Sequence, residues 1–152
     1  MTILRDVDAA DLDAFYEQQL DPEATAMALF PARDRETFDA HWRNTLADPS
    51  LTKKTIVHEG RVAGNALCWE ADNRRFVGYW LGREFWGKGL ATLALAELTQ
   101  EVRERPLHAW VATSNVGSIR VLEKCGFARI DSRAEHDERL GHEVEELLYE
   151  LR

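Results

Sequence analysis

Apolar positions along the chain recur with two periods, one typical of strands and one typical of helices. Apolar runs rich in β-branched and aromatic residues predict seven strands, at residues 2–6, 53–58, 61–69, 75–81, 107–112, 127–133 and 144–151. Spacings of three and four residues predict helices at residues 9–20, 35–47, 83–104 (with its entry loop) and 115–125, and a short helix around residues 23–29. This order predicts a single α/β domain over residues 1–152, with a mixed sheet that is antiparallel at first and later contains a parallel strand pair.

A glycine-rich loop joins the strand at residues 75–81 to the helix that follows it. The loop carries Gly87 and Gly89, and the apolar positions of the helix repeat at Leu90, Ala94, Leu98 and Val102. Glycines let the backbone approach a phosphate closely, and the first N–H groups of a helix have no partner within it. The strand, loop and helix therefore predict a site for a phosphorylated ligand.

Three known phosphate-binding loops compete for this segment. The P-loop needs Ser or Thr after its Lys to hold magnesium, whereas Gly89 follows Lys88. The dinucleotide fingerprint needs a third Gly or Ala where this chain has Thr92. The pyrophosphate loop of coenzyme A-dependent acyltransferases, x-x-Gly-x-Gly/Ala before a long helix, matches residues 85–91 without a missing part. Two glycines at this spacing are a weak signal, so a second motif has to decide.

That second motif lies at residues 115–127, where Asn115 is a good helix N-cap and Gly126 suits the helix end. These residues read N-V-G-S-I-R-V-L-E-K-C-G-F, and the pattern closely resembles the N-x-x-S-x-x-x-L-x-K-x-G-F helix of the GNAT superfamily of acyl-CoA-dependent N-acyltransferases. The run G-Y-W-L-G-R-E-F-W-G-K-G-L-A-T at residues 78–92 is similar to RimJ/RimL-type N-terminal-amine acetyltransferases. The likeness runs from about residue 53 to the C-terminus and is weakest before that.

The resemblance implies a GNAT fold, in which helices flank a central sheet with a splayed parallel strand pair. It implies transfer of an acetyl group from acetyl-CoA to a primary amine, by direct attack in a ternary complex. It also implies that coenzyme A is bound by Tyr79, Trp80, Leu81, Phe85, Trp86, Gly87, Lys88, Gly89, Leu90, Ala91, Thr92, Asn115, Ser118, Arg120 and Lys124. Lys88, Arg120 and Lys124 are equally compatible with a solvated surface. Gly78, inside a strand, indicates a bulge or a close backbone approach.

Acyl transfer needs a deprotonated amine, a stabilised carbonyl oxygen and a proton for the leaving thiolate. The backbone near Trp80 or Leu81 would stabilise the oxygen. Many family members take the acid from a Tyr seven residues after the Asn, where this chain has Leu122. In RimL-type enzymes a Ser three residues after the Asn plays that part, which implies Ser118; a purely structural role in the first helical turn is the equal alternative.

The general base is harder to assign. Relatives often carry a Glu on the strand before the glycine loop, but this chain has Phe76 there. RimL-type enzymes place a Glu ten residues after the Phe of their Gly-Phe pair, which corresponds to Asp137 here. Asp137 lies beside Glu135 in a segment that the pattern predicts to be a charged hairpin loop. Glu70, at the end of its strand, and Tyr79 are further candidates.

In this family the first two helices and their loop cover the acceptor, which implies a substrate-binding role for Phe30, Trp42 and Phe76. The spacing of Phe38, Trp42 and Leu46 also predicts a buried helix face, and His41 beside it is expected to be a surface residue rather than a base. On the second-motif helix, the same period predicts a buried stripe of Val116, Ile119 and Leu122.

Composition narrows the class of partner. The 152 residues have a net charge of −8, which disfavours nucleic acid and suits a cationic amine, although acidic surfaces also serve solubility. The sequence contains no membrane-length apolar window and no apolar signal core, so we expect no membrane partner. Cys68 and Cys125 lack metal-ligand spacing and favour a reduced cytoplasmic setting without a metal.

Several alternatives stay open on the sequence. The acceptor is a protein N-terminus, a small metabolite or an antibiotic amine, and a homodimer is compatible with the chain. The missing Tyr and strand Glu keep a non-catalytic acyl-CoA-binding or sensor module as the alternative function. A nucleoside-triphosphate binder is a third reading, which Gly89 argues against.

Overall fold

The computed structural model describes residues 2–138 and 141–152, and within them seven strands form one mixed sheet. The strands are β1 (Thr2–Asp6), β2 (Thr52–His58), β3 (Arg61–Ala71), β4 (Arg74–Leu81), β5 (Leu107–Ala112), β6 (Ala128–Asp137) and β7 (His142–Leu151). They lie in the order β1-β2-β3-β4-β5-β7-β6, in which β4 and β5 are parallel and the other neighbours are antiparallel. The predicted mixed α/β sheet is confirmed.

The described helices cover both faces of the sheet. They are α1 (Leu12–Gln19), α2 (Pro22–Ala28), α3 (Arg35–Ala47), α4 (Leu90–Glu101) and α5 (Val116–Lys124), with short 3₁₀ turns at Ala9–Asp11 and Arg83–Phe85. The apolar residues of α4 and α5 belong to the main core, whereas α1 and α3 form a second core against β3. None of the described helices has both the length and the apolar character needed to cross a bilayer.

The main core lies between the sheet and α4. All four predicted apolar positions are buried there: Leu90, Ala94, Leu98 and Val102 are exposed by 3%, 0%, 0% and 6%. Burial of each leucine side chain stabilises the fold by roughly 1.5–3 kcal/mol. Because these residues hold α4 firmly against the strands, its N-terminal end is fixed beside the end of β4.

The parallel pair is short and then opens. β4 and β5 are paired only at Arg75 with Leu107 and at Phe76 with His108. Beyond Phe76 the two strands separate, which leaves a cleft through the sheet along one edge of β4. The splayed strand pair predicted from the resemblance is therefore present, and it connects the α4/α5 face of the sheet with the α1/α3 face.

Three local predictions were wrong. The segment at Asp137 was expected to be a hairpin loop, but β6 continues to Asp137, which pairs with His142. A strand at the sheet edge can form without apolar side chains, so the charged sequence did not indicate it. α4 ends at Glu101 rather than residue 104, since Val102 caps it with an extended backbone (ψ 101°). Val116 was expected to be buried but is 53% exposed. It lies in the first turn of α5, which extends beyond the core, whereas Leu122 further along the helix is buried.

Asp11 links β1, β2 and the start of α1. Its carboxylate is 4% exposed and accepts hydrogen bonds from Arg5 at 2.7 Å, from the Thr55 hydroxyl at 2.7 Å and from the Asp8 N–H at 2.8 Å. The hydrogen bond from Arg5, helped by those from Asp8 and Thr55 and opposed by burial, lowers the pKa of Asp11 to about 2. Since the folded pKa lies below the unfolded value, this stabilisation is complete above pH 4 and is lost as the pH falls towards 2.

Replacing Asp11 with Asn is expected to lower the free energy of unfolding by about 1.5 kcal/mol at pH 7, because a charged hydrogen-bond acceptor is lost. Urea denaturation at pH 7 and pH 3 measures this, and the difference between variant and wild type should shrink at pH 3. The matched control is Asp13→Asn, because the Asp13 side chain is 84% exposed in its ion pair with Arg35. Equal effects of the two substitutions would contradict the assignment.

Candidate active site

The glycine loop after β4 forms an open backbone cradle. Gly87 and Gly89 have φ angles of 76° and 75°, a region that side-chain-bearing residues rarely adopt, and Gly89 is the N-cap of α4. The Leu93 N–H donates to the Gly89 carbonyl at 3.2 Å, so the N–H groups of residues 90–92 precede the intrahelical ladder. Together with the positive end of the helix dipole, these groups suit a phosphate oxygen.

A groove of about 420 Å³ runs along this cradle between α4, α5 and α2. Its wall contains every residue predicted to bind coenzyme A except Lys88: Tyr79, Trp80, Leu81, Phe85, Trp86, Gly87, Gly89, Leu90, Ala91, Thr92, Asn115, Ser118, Arg120 and Lys124. Lys88 is exposed and lies outside the wall. The glycine-loop part of the groove therefore consists of uncharged backbone, and Arg120 and Lys124 on α5 add positive charge to the groove.

α2 forms a side of this groove that the motifs did not indicate. Ala24, Met27 and Ala28 line it, and Arg83 holds the helix in place through ion pairs with Asp21, at 3.5 Å, and Glu23. No sequence motif indicates this contribution, because α2 is distant from the glycine loop in the sequence and lies beside it only in the folded chain.

A larger cavity of about 670 Å³ lies next to the groove and reaches the α1/α3 face of the sheet. The walls of the two cavities share Tyr79, Trp80, Asn115, Ser118 and Ala28. The cavities therefore meet where β4 and β5 have separated, beside the first turn of α5. A ligand in each would bring its end to the same place, as a transfer reaction requires.

Two hydroxyl groups stand at this junction. Tyr79 Oη and Ser118 Oγ are 2.8 Å apart, and the Ser118 N–H donates to Asn115 Oδ1 at 3.2 Å, which caps α5. Burial, partly offset by the hydrogen bond with Ser118, raises the pKa of Tyr79 to about 12. The phenol therefore stays protonated at neutral pH, so Tyr79 is unsuited to the role of base and can donate a hydrogen bond to Ser118 Oγ.

The open edge of β4 adds backbone donors. The Gly82 N–H donates to the Ala63 carbonyl on β3 at 2.8 Å, and the Leu81 carbonyl accepts from Trp86 Nε1 at 3.2 Å on the other side. Because successive residues of a strand direct their N–H groups to opposite sides, the N–H groups of Tyr79 and Leu81 face the cleft and that of Trp80 faces β3. Of the two positions named from the sequence, only Leu81 offers its N–H to the cleft.

The acidic base candidates are placed differently from one another. Asp137 lies in β6 and is absent from the walls of both cavities, and Glu135 is exposed on the same strand. Glu70 lines the larger cavity, where Arg75 donates to it at 2.8 Å. The structure thus brings Glu70, but neither residue of β6, to the candidate site.

His41 was expected at the surface, but it is partly buried and lines the larger cavity. Its ring lies edge-on to Trp42, with 6.1 Å between the ring centroids. Burial, together with the charge of Arg33, lowers the pKa of His41 from its usual 6.5. The imidazole is therefore mainly neutral at pH 7 and able to accept a proton.

Of the three residues expected to contact the substrate, two line the larger cavity and one does not. Phe30 and Trp42 line the larger cavity. Phe76 does not: it is 5% exposed and packed between Trp69 and His108, with ring centroids 6.1 and 5.9 Å away. Phe76 lies where β4 and β5 are still paired, so no cleft reaches it.

The family model described as "Acetyltransferase (GNAT) domain" matches residues 2–128, so the chain belongs to this family. A Bacillus subtilis (strain 168) protein named "Putative ribosomal N-acetyltransferase YdaF" is 31% identical over 100 residues, which is 61% of this chain and 55% of that protein. The chain thus spans about half the length of this curated relative.

Solved structures share the fold over nearly the whole chain. Spermidine N-acetyltransferase from Vibrio cholerae, in complex with CoA and spermine, superimposes with a TM-score of 0.85 at 13% identity, covering 99% of this chain and 94% of that one. RimL, a ribosomal L7/L12 alpha-N-protein acetyltransferase in complex with coenzyme A, has a TM-score of 0.84 at 18% identity, covering 99% and 93%. At these identities the likeness establishes the fold.

Proposed function

We propose that residues 1–152 form one N-acetyltransferase domain, which transfers an acetyl group from acetyl-CoA to a primary amine. The observation that carries this proposal is the meeting of a phosphate-suited groove and a larger cavity at Tyr79 and Ser118. Acetyl-CoA supplies the acetyl group as a reactive thioester. Membership of the acetyltransferase family supports the same function.

The glycine loop binds the diphosphate of coenzyme A in this proposal. The N–H groups around Gly87 and Gly89 and those at the start of α4 donate to its oxygens, and Arg120 and Lys124 approach the remaining phosphate from α5. The backbone supplies most of these donors, so binding needs no side chain at position 88.

At the junction the N–H group of Tyr79 polarises the carbonyl oxygen. The N–H group of Leu81 lies about 6.6 Å further along β4, too far to share that oxygen, and faces the groove instead. The amine nitrogen forms its bond to the acetyl carbon while the carbon–sulfur bond breaks. The leaving thiolate takes its proton from Ser118, which is reprotonated by Tyr79 over 2.8 Å. Tyr79 recovers its proton from solvent, and the proton taken from the amine is released to solvent, so the protons balance over one turnover. Direct attack in a ternary complex accounts for the reaction without a covalent enzyme intermediate.

We propose His41 as the group that takes the proton from the incoming amine. It lines the acceptor cavity and is mainly neutral at pH 7, whereas Glu70 and Glu146 in the same wall are paired with Arg75 and Arg133. kcat/KM is expected to rise with pH through a group that titrates below 6.5. In His41→Gln this limb should disappear, and the rate should approach that of wild type only as the pH nears about 10, where an alkyl ammonium group loses its proton unaided.

A pH profile of kcat/KM from about pH 5 to about pH 10.5 for wild type, His41→Gln and Glu70→Gln measures this. Retention of the acidic limb in His41→Gln together with its loss in Glu70→Gln would assign the role to Glu70 instead.

The cysteines and the net charge bear on where the protein acts and on what it acts upon. Cys68 is buried and Cys125 partly so, and both carry free thiols, which supports a cytoplasmic location. The net charge of −8 supports a small-molecule or peptide amine as partner rather than nucleic acid.

Product analysis tests the proposed function. The chain is incubated with acetyl-CoA and a panel of primary amines, and mass spectrometry is used to search for N-acetylated products. At least one amine should be acetylated faster than in the absence of the chain. Tight coenzyme A binding with no acetylated amine across the panel would support a non-catalytic acyl-CoA-binding module instead.

A further inference from the structure

Three indole side chains line the acceptor cavity from adjacent strands. Trp69 on β3, Trp80 on β4 and Trp110 on β5 are all partly buried and all belong to its wall. The register places Trp69 opposite Phe76, and Phe76 opposite His108. Trp80 follows Phe76 by four residues and Trp110 follows His108 by two, and strand residues an even number apart point to the same face. The three tryptophans therefore share one face of the sheet. Phe30 and Trp42, from outside the sheet, belong to the same wall, although Trp42 is 4% exposed and the Arg33 guanidinium lies over the Phe30 ring. The sheet thus supplies the main aromatic surface of the cavity.

The indoles are held in fixed positions. Trp69 stacks on Phe76 with 6.1 Å between centroids and 21° between planes, and Trp80 Nε1 donates to the Gln18 carbonyl at 3.1 Å. The Arg133 guanidinium lies 3.8 Å from the centroid of the Trp110 ring. Rings fixed in this way lose little entropy when a ligand stacks on them, which favours a flat, rigid partner.

The charges in the wall select against a polycation. Its two carboxylates, among the residues that the structure describes, are Glu70 and Glu146, and arginines hold them at 2.8 and 2.9 Å. A ligand with several ammonium groups would have to compete with Arg75 and Arg133 for these partners. A single ammonium group is accommodated by the aromatic faces themselves.

We infer that the acceptor is a small primary amine joined to an aromatic ring by a short saturated chain. The ring stacks against the tryptophans of the sheet, and the amine reaches Tyr79 and Ser118. The volume of about 670 Å³ falls within the usual range for small-ligand sites. This inference rests on the proposed function and adds to it the class of acceptor.

The test compares kcat/KM for four amines with acetyl-CoA: 2-phenylethylamine, n-butylamine, spermidine and a short peptide with a free N-terminus. 2-Phenylethylamine is expected to exceed each of the others by about tenfold or more, a difference of about 1.4 kcal/mol. In Trp69→Ala the advantage over n-butylamine should fall to about threefold or less, and in Trp69→Phe most of it should remain. Calorimetric titration with coenzyme A checks that both variants retain the groove.

The outcomes separate this inference from the function on which it rests. Thiol release that is fastest with n-butylamine, spermidine or the peptide would overturn the aromatic acceptor and leave the acetyltransferase in place. An unchanged preference in Trp69→Ala would overturn the assignment of the ring to this wall. The absence of amine-dependent thiol release with all four amines, at concentrations where coenzyme A binds, would overturn both.

Discussion

Replacing Ser118 with alanine is expected to lower kcat by about a hundredfold, the usual size of a general acid–base contribution. The hydroxyl stands 2.8 Å from the Tyr79 hydroxyl at the junction of the two cavities, so its loss interrupts the proton supply to the leaving thiolate. The cap of α5 is kept, because Asn115 accepts from the Ser118 backbone N–H. Steady-state kinetics should show kcat and kcat/KM falling together, while calorimetric affinity for acetyl-CoA changes little.

Ser114→Ala is the matched control. Ser114 lies four residues earlier, is exposed and belongs to the wall of neither cavity, so kcat should stay near that of wild type. Tyr79→Phe adds a second arm, since it removes the partner hydroxyl and keeps the ring; kcat should fall here too. A Ser118→Ala enzyme with kcat within a factor of about two of wild type would return Ser118 to a structural role in α5.

Gly89→Val is expected to weaken coenzyme A binding by at least about thirtyfold, or about 2 kcal/mol. A β-branched residue is strained at φ 75°, so the loop should shift and its N–H groups should turn away from the phosphate positions. No atom lies within 4 Å of the added Cβ, so the substitution causes no clash in the core and the fold should persist. Isothermal titration calorimetry measures the affinity, and circular dichroism checks the fold.

Gly60→Val separates backbone strain from ligand binding. Gly60 has φ 76° and likewise no neighbour within 4 Å of its added Cβ, but it lies in the turn between β2 and β3. The two variants should lose similar stability, and only Gly89→Val should lose affinity. Equal coenzyme A affinity in folded Gly89→Val and wild type would remove the glycine loop from the binding site.

The residues predicted from the sequence to bind coenzyme A, except Lys88, line one groove, because most of them are close together in the chain. The strand, the glycine loop and the helix are consecutive, so a spacing pattern is enough to place backbone donors. α3 and β5 have the predicted bounds for similar reasons: Asp34 caps the helix, Pro49 follows its end, and every residue of the strand except His108 is apolar.

The wall of the larger cavity was not predictable to the same degree, since it is assembled from distant segments. This wall includes Trp69 on β3, Trp110 on β5 and His41 on α3, which are far apart in the sequence. These residues line one cavity because β4 and β5 separate in the folded chain. A period of 3.6 places His41 beside a buried stripe, but it cannot tell whether the neighbouring space is solvent or a cavity. Phe76 lies in the predicted strand, but it does not line the cavity that it was expected to line. No sequence pattern indicates the point where β4 and β5 separate, and Phe76 lies before that point.

Asp137 illustrates the limit of transferring a role by counting residues. A fixed offset from Gly126-Phe127 assumes that the following hairpin keeps one length and one register. Here β6 continues to Asp137 with a register shift between Arg129 and Asp131, and this carries the residue away from the junction.

The most direct test of the central claim is the release of free thiol from acetyl-CoA, followed continuously with a thiol reagent at fixed enzyme concentration. Release should be slow without an acceptor, should rise with the concentration of a primary amine until it saturates, and should be strongly reduced in both Ser118→Ala and Gly89→Val. Release that is indifferent to every amine tested, from a chain that still binds coenzyme A, would contradict the acetyltransferase assignment.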